Sequence, residues 1–468
     1  MSHSSIRPST TCLRANLLAA ALLLCTTSGI VAAQSAPRGP MVRSTSQLVE
    51  AGTTADVAGM GFEAGQKITL SANGRKLNAE PFVVDAKGAF SGSIPVPANA
   101  APGPFPVKAQ VEGGTAVDFE MKISRRLPLS GQDRFVVASE KLVRGLYQSA
   151  YSAKADAVYV TSAVGRPPVK QSELLKVDPK TLKVVARTTP AAAPAPEPTP
   201  GQEPREGGLY AVYGVAVDDA NGTVWVTNTR QGTVAVYRQD DLALVKQFPR
   251  DAVPHARDVA IDSVRGKAYS SATGEDFIAV FDTRTLEPLP KITIASGKSG
   301  KTFTPTSLAL DAKGGKLYTA GLTTGEVAVI DLAAGAVEKV IALDNARNTV
   351  GVAWDAADKR LLAVSQGSDN LHVIDVQTGK VVHDVYVGAG ALNVAWDPVG
   401  KLAYISNRGA NTVAVVDPAS GKLVANLDGG SFPNHVTADG KGNVFAVNKS
   451  SGEDDANGDR ITRIALKK

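Results

Sequence analysis

Cysteine is nearly absent from this chain: there are two, Cys12 and Cys25, and both fall within the first 33 residues. Residues 1–33 read as a Sec-type signal peptide. Arg7 and Arg14 precede the apolar run 17–24, and Val31-Ala-Ala33 offers a small-residue cleavage site. The mature chain is then expected to begin near Gln34 with no thiol, which excludes disulfides, thiol catalysis and cysteine-held metals. Leu24 is too large for lipoprotein processing at Cys25. Histidine is also scarce, with only His255, His372, His383 and His435 beyond the signal. No HExxH, GxSxG, Walker-loop, paired-cysteine or haem motif occurs. No later apolar run is long enough to span a bilayer. Neither sign of charge dominates, since 50 basic residues face 45 acidic ones for a net charge of +5. These absences describe an exported chain, periplasmic or secreted, with poor catalytic signals and no cofactor motif.

What is present is a repeat. A short apolar strand ends in Asp, and seven residues later (six in the last copy) a second strand carries a large apolar side chain. The copies are Val215-Ala-Val-Asp218 with Trp225, Val259-Ala-Ile-Asp262 with Tyr269, and Leu308-Ala-Leu-Asp311 with Tyr318. They continue with Val352-Ala-Trp-Asp355 and Leu362, Val394-Ala-Trp-Asp397 and Tyr404, and Val436-Thr-Ala-Asp439 and Phe445. Ser149-Ala-Tyr-Ser152 with Tyr159 is a weaker first copy. Strand-only repeats with a period of about 40–50 residues predict a β-propeller, here seven-bladed over residues 133–468. The last copy shows only three strands, so residues 134–138 are expected to supply its outermost one and close the ring.

Ahead of the repeats, residues 41–125 carry short strand patterns separated by Gly, Pro and Asn turns, which predicts a small β-sandwich. The complete expectation is all-β: a seven-bladed β-propeller preceded by a small immunoglobulin-like β-sandwich, with 125–130 as linker. Residues 190–208 carry six prolines between blades one and two and read as an extended, poorly ordered insertion, either a tolerated one or a docking element.

Tyr159-Val-Thr-Ser162, Trp225-Val-Thr-Asn228, Tyr404-Ile-Ser-Asn407 and Phe445-Ala-Val-Asn448 resemble the tetrad of YVTN-repeat β-propellers, and the exported YncE-like proteins in particular. The stretches 84–90 and 95–103 resemble bacterial immunoglobulin-like modules. The first resemblance implies an exported propeller without an agreed activity, and the second implies a spacer or adhesive unit.

In such a fold the loops leading into the inner strands and those after the second strands share one face. The candidate ligand-binding residues at that channel mouth are Arg144, Tyr147, Tyr213, His255, Arg257, Asp258, Arg347, Asn393, Arg408, Asn434 and His435. Tyr210 lies in the same loops, and the second-strand loops add Arg166, Asn228, Arg230, Asn407, Asn448 and Lys449. The position four residues before each marker reads Gln148, Gly214, Asp258, Ser307, Gly351, Asn393, His435, a polar or small ring. Guanidinium groups beside aromatics suit a phosphate, a carboxylate or single-stranded nucleic acid. The competing reading is that these charges only solvate a loop face. The leading expectation is a monomeric, non-catalytic binding protein for an anionic ligand or protein partner, nucleic acid included. The alternative is an enzyme, a lactonase-like metal-dependent hydrolase or a redox-associated propeller subunit. His255, His435 and Asp258 offer the sparse metal-ligand set such an enzyme would need. Asp455-Ala-Asn457-Gly-Asp459 resembles half a calcium loop but lacks the turn glycine and the final Glu, and an acidic hairpin loop is the expectation there.

Overall fold

The structure, a computed structural model, describes residues 39–197 and 206–467. The signal-peptide reading of residues 1–33 therefore lies outside the described residues, as does the tip of the proline-rich insertion.

Among the described residues the chain forms seven four-stranded antiparallel sheets in succession. Each innermost strand packs against that of the next sheet, and the seventh packs against the first, so the sheets close a ring. This is a β-propeller. Its blades cover 146–188, 215–247, 256–293, 305–342, 349–386, 391–428 and 433–466. Phe135–Lys141 pairs antiparallel with Arg460–Leu466 as the fourth strand of the last blade. The first propeller strand thus belongs to the last blade, and the ring has no open edge.

Both repeat markers have a physical reason. The Asp caps the turn after the inner strand: Asp262 Oδ1 accepts the amides of Val264 at 3.0 Å and Arg265 at 3.2 Å. Asp218, Asp355 and Asp439 do the same in their own turns. This Asx arrangement satisfies amides that the turn leaves unpaired. The large residue of the second strand fills the seam to the following blade. Tyr159 packs with Val215 and Val224, Trp225 with Val259 and Ala268, and Tyr269 with Leu317 and Ile330. Phe445 completes the circle by packing with Leu146 and Val158 of the first blade. All of these aromatics are buried, so the repeat encodes the joints between blades as much as the blades.

Residues 41–123 form two further sheets, one of three strands and one of five, which share one apolar core around Ile68, Leu70, Ile94 and Met121. The stretch 125–130, expected as a linker, is fastened down. Arg125 N donates to Tyr386 Oη at 2.8 Å and its guanidinium lies 4.3 Å over that ring. Ser130 then exchanges two backbone hydrogen bonds with Asn426.

The described arms of the insertion are also tied down, against the expectation of a poorly ordered loop. Ala193 N donates to Gly208 O at 2.8 Å and Tyr210 N to Ala191 O at 3.0 Å, while Arg250 holds Pro194 O at 3.1 Å. A side chain at Gly207 would lie 1.8 Å from Ala193 O, so the two arms meet where only glycine fits. Tyr210 is buried beside this pairing rather than offered to the mouth.

Candidate functional site

The polar ring of the inner strands turns out to be a set of latches between blades. Gln148 Oε1 accepts the amide of Val215 at 3.2 Å, and Asp258 Oδ2 that of Leu308 at 2.9 Å. Asn393 Oδ1 accepts the amide of Val436 at 2.9 Å, and His435 Nδ1 faces that of Ser149 at 3.3 Å. In each case the acceptor belongs to one blade and the amide is the next residue along in the following blade's ring. Inner strands leave these amides without a ladder partner, and a buried amide left unpaired costs about 1–3 kcal/mol. Asp258, Asn393 and His435 are therefore engaged in holding the ring together. Burial raises the Asp258 carboxyl to about 6 even though two backbone amides pull it the other way. Burial, then Arg257, lowers His435 to about 3, so it stays neutral and able to accept.

Of the four arginines among the candidate residues, two are ion-paired with acidic side chains. Arg144 pairs with the exposed Glu453 at 2.8 Å. Arg347 pairs with Glu120 of the N-terminal sheets at 2.9 Å. The latter contact belongs to a docking surface the sequence did not suggest. Lys122 Nζ and Ser124 Oγ both bond the carboxylate of Asp369, which also accepts Gly390 N at 2.7 Å. Gln47 Nε2 donates to Arg408 O at 3.0 Å and to Asn411 Oδ1 at 2.6 Å. The N-terminal unit therefore rests on blades five and six, on the loop face itself.

On the uncovered side a second group assembles. The rings of Tyr147 and Tyr213 meet edge to face at 4.7 Å. Lys449 Nζ lies 4.5 Å over the Tyr147 ring, and Arg230 Nε donates to Tyr213 Oη at 3.2 Å. Arg408 Nη1 bonds Asn434 Oδ1 at 2.8 Å and its guanidinium lies 5.0 Å over Phe432, while Asn434 Nδ2 holds Tyr147 O at 2.6 Å. Arg257 adjoins the group, and its buried Nε has no hydrogen-bond partner. These cations press on one another. Burial, then Arg257 and Arg230, holds His255 down to about 4. Burial, then Arg408 and Arg230, lowers Lys449 to about 7, with Asp459 pulling the other way.

Arg230 and Lys449 thus take the places expected of Arg144 and Arg347. The loop positions after the second strands did flag them. Phe432 carried no signal, being one aromatic in a Gly-Gly-Ser-Phe turn. The histidine–aspartate set does not become a metal centre, because Asp258 and His435 are spent on amides. Among the described residues no three His, Cys, Asp or Glu side chains come together to hold a metal. Asp455 and Asp459, the half calcium loop, instead accept the amides of Ser451, Asn457, Gly145 and Ser450.

The opposite end of the ring is different in kind. There Leu310, Trp354, Trp396 and Ala438 line an apolar hollow of about 490 Å³.

The fold defines the chain as a β-propeller. No model of a known protein family matches the chain. Over 268 residues it is 26% identical to YncE of Escherichia coli O157:H7 and of strain K12, covering 53% of this chain and 68% of theirs. Among solved structures, hydrazine synthase of Kuenenia stuttgartiensis superposes with a TM-score of 0.54 at 17% identity, over 69% of this chain and 96% of that one. Virginiamycin B lyase from Staphylococcus aureus gives 0.52 at 13%, covering 71% and 100%. U3-55K gives 0.55 at 10%, covering 72% and 99%. The chain is similar to YncE over that stretch and shares the propeller fold with these solved structures; likeness at these identities concerns the fold alone. Among the described residues no helix is long and apolar enough to cross a membrane.

Proposed function

We propose that the protein is an exported, non-catalytic binding protein whose propeller mouth takes an anionic ligand. The observation that carries this reading is the convergence of Arg230, Arg257, Arg408 and Lys449 beside a tyrosine pair, with Lys449 and His255 pushed toward neutrality by burial first and then by the neighbouring arginines. Like charges held together at a cost in free energy fit a site completed by an anion. The half-buried Tyr147 adds an aromatic flank to the site, and the buried Tyr213 braces it from beneath. The N-terminal unit, an immunoglobulin-like spacer on this reading, walls the mouth on the side of blades five and six and directs ligands to the remaining arc. The enzyme alternative has less support here, since the side chains it would need as metal ligands are already holding blades together. Virginiamycin B lyase, an enzyme, shares only the fold.

The test is a titration with labelled oligo-dT, and in parallel with pyrophosphate, at several salt concentrations. Binding is expected to weaken steeply with salt. Arg257→Ala should weaken it by about tenfold, as loss of one charge-assisted contact of about 1.5 kcal/mol does, and lower the salt slope by about 1. Lys380→Ala and Lys422→Ala, at the starts of outer strands, should change neither. Equal losses from all three would mean diffuse attraction and no site. If pyrophosphate binds and oligo-dT does not, the ligand is a small anion.

A further inference from the structure

We propose that Lys449 presents its ε-amine as a nucleophile to aldehydes or ketones that also carry a carboxylate or phosphate, and captures them as an imine in the propeller mouth. The proposal rests on the anionic-ligand reading and adds a bond to it.

Lys449 follows the strand Asn443–Asn448, and its backbone is held where that strand leaves the blade. Its amide donates to Phe432 O at 3.2 Å, and the preceding Asn448 side chain ties two neighbouring loops by donating to Gly429 O at 3.2 Å and Asn457 O at 2.6 Å. The half-buried side chain carries its amine to 4.5 Å over the Tyr147 ring. Among the described residues no carboxylate pairs with it and no oxygen accepts from it. The nearest acid that acts on it, Asp459, is committed through Oδ1 to the amides of Gly145 at 2.8 Å and Ser450 at 3.2 Å. Arg408 and Arg230 face it as like charges, while Asp459 and the π face of Tyr147 favour the ammonium ion. The balance lies with desolvation and the arginines, which lower the amine to about 7. A large fraction is therefore unprotonated at neutral pH, the usual condition for a Schiff-base lysine.

The arginines that, after burial, lower the amine's pKa are also the ones that would hold the anionic end of the captured compound. In the reaction the nitrogen lone pair attacks the carbonyl carbon, and the carbonyl oxygen takes up protons. The carbinolamine then loses one water to leave the imine. No oxidant, reductant or further reactant is consumed.

The experiment incubates the full-length exported protein with glyoxylate, and separately with pyridoxal 5′-phosphate, from pH 6 to 9, and traps imines with cyanoborohydride. Intact mass and peptide mapping then locate the adduct. One adduct per chain is expected, at Lys449, rising with pH through about 7 and reduced severalfold by excess pyrophosphate. Lys449→Arg, which keeps the charge, should abolish it, whereas Lys380→Arg should not. The two ligands separate carboxylate from phosphate carriers. Labelling spread over surface lysines, or an adduct that is still climbing at pH 9 with no inflection near 7, overturns the proposal. Oligo-dT binding is measured on the same samples. Salt-sensitive binding without a Lys449 adduct overturns the imine alone, and loss of both overturns the anion site beneath it.

Discussion

Replacing Phe135 by Ala is expected to lower the thermal midpoint by about 10 °C, although the residue lies in a short edge strand far from the last blade in sequence. Phe135 is 3% exposed and meets Tyr404 edge to face at 6.3 Å. It shares a core with Leu427 of blade six and Ile464 of blade seven, so its ring fills the seam where the two ends of the propeller chain join. Truncating a buried Phe costs about 3–5 kcal/mol, and each kcal/mol moves the midpoint by about 2–4 °C in a domain of this size. Val137→Ala is the control, because Val137 sits in the same strand but is 51% exposed. It should shift the midpoint by no more than about 2 °C. Calorimetry on both variants checks this. Equal, small shifts would mean that Phe135–Lys141 is a dispensable edge and not the closure.

Acidification from pH 7.5 to 5 is expected to destabilise the wild-type protein, and His435→Asn to remove much of that loss. The native chain holds His435 at about 3 and His255 at about 4, whereas an unfolded His takes its proton near 6.5. Below 6.5 the unfolded state therefore binds protons that the native state refuses. The stability these groups permit is complete above 6.5 and falls as pH drops toward 3 or 4. Asp258, raised to about 6, works in the opposite sense: its contribution is full below 3.8 and lost as pH rises through 6. Two histidines against one aspartate leave a net loss on acidification, to which His435 contributes about 2 kcal/mol by pH 5. Asn at this position should keep the latch, since Asn393 makes the same bond to Val436 from the equivalent place in the preceding blade. Its midpoint at pH 7.5 should match wild type, and at pH 5 it should lie about 5 °C higher. Parallel pH profiles would mean that His435 is protonated in the native state.

The architecture could be read from the sequence because its determinants are local and recur. An Asp that caps its own turn and an aromatic that packs on the next blade each recur in six of the seven copies, and a three-stranded last copy implies a borrowed strand. The site was less legible because it depends on where loops point. His255, Asn348 and Phe432 hold positive φ values of 50°, 50° and 49°, which steer side chains in ways residue type does not announce. Asp258, Asn393 and His435 read as ligand-binding because polar residues near a channel usually do, but the unpaired amides of the following blade claim them. Arg144 and Arg347 are paired with Glu453 and Glu120, partners distant in sequence that residue type could not announce. In the N-terminal unit the strand Thr54–Met60 is rich in Ala and Gly, which carry little β preference of their own. Gly59 is there so that the Phe90 ring can lie across the strand, 2.1 Å from where a Cβ would stand.

The central claim is that the propeller mouth is an anion site built by Arg230, Arg257, Arg408 and Lys449. Its most direct test is a crystal soaked in selenate at moderate salt, with anomalous data collected at the selenium edge. The account predicts a leading peak within hydrogen-bond reach of the Arg257 and Arg408 guanidinium groups and beside Tyr147 and Tyr213. It also predicts loss of that peak in Arg257→Ala crystals of the same form. Selenate found only on surface lysines, or a mouth that stays free of it in the wild-type protein, would contradict it.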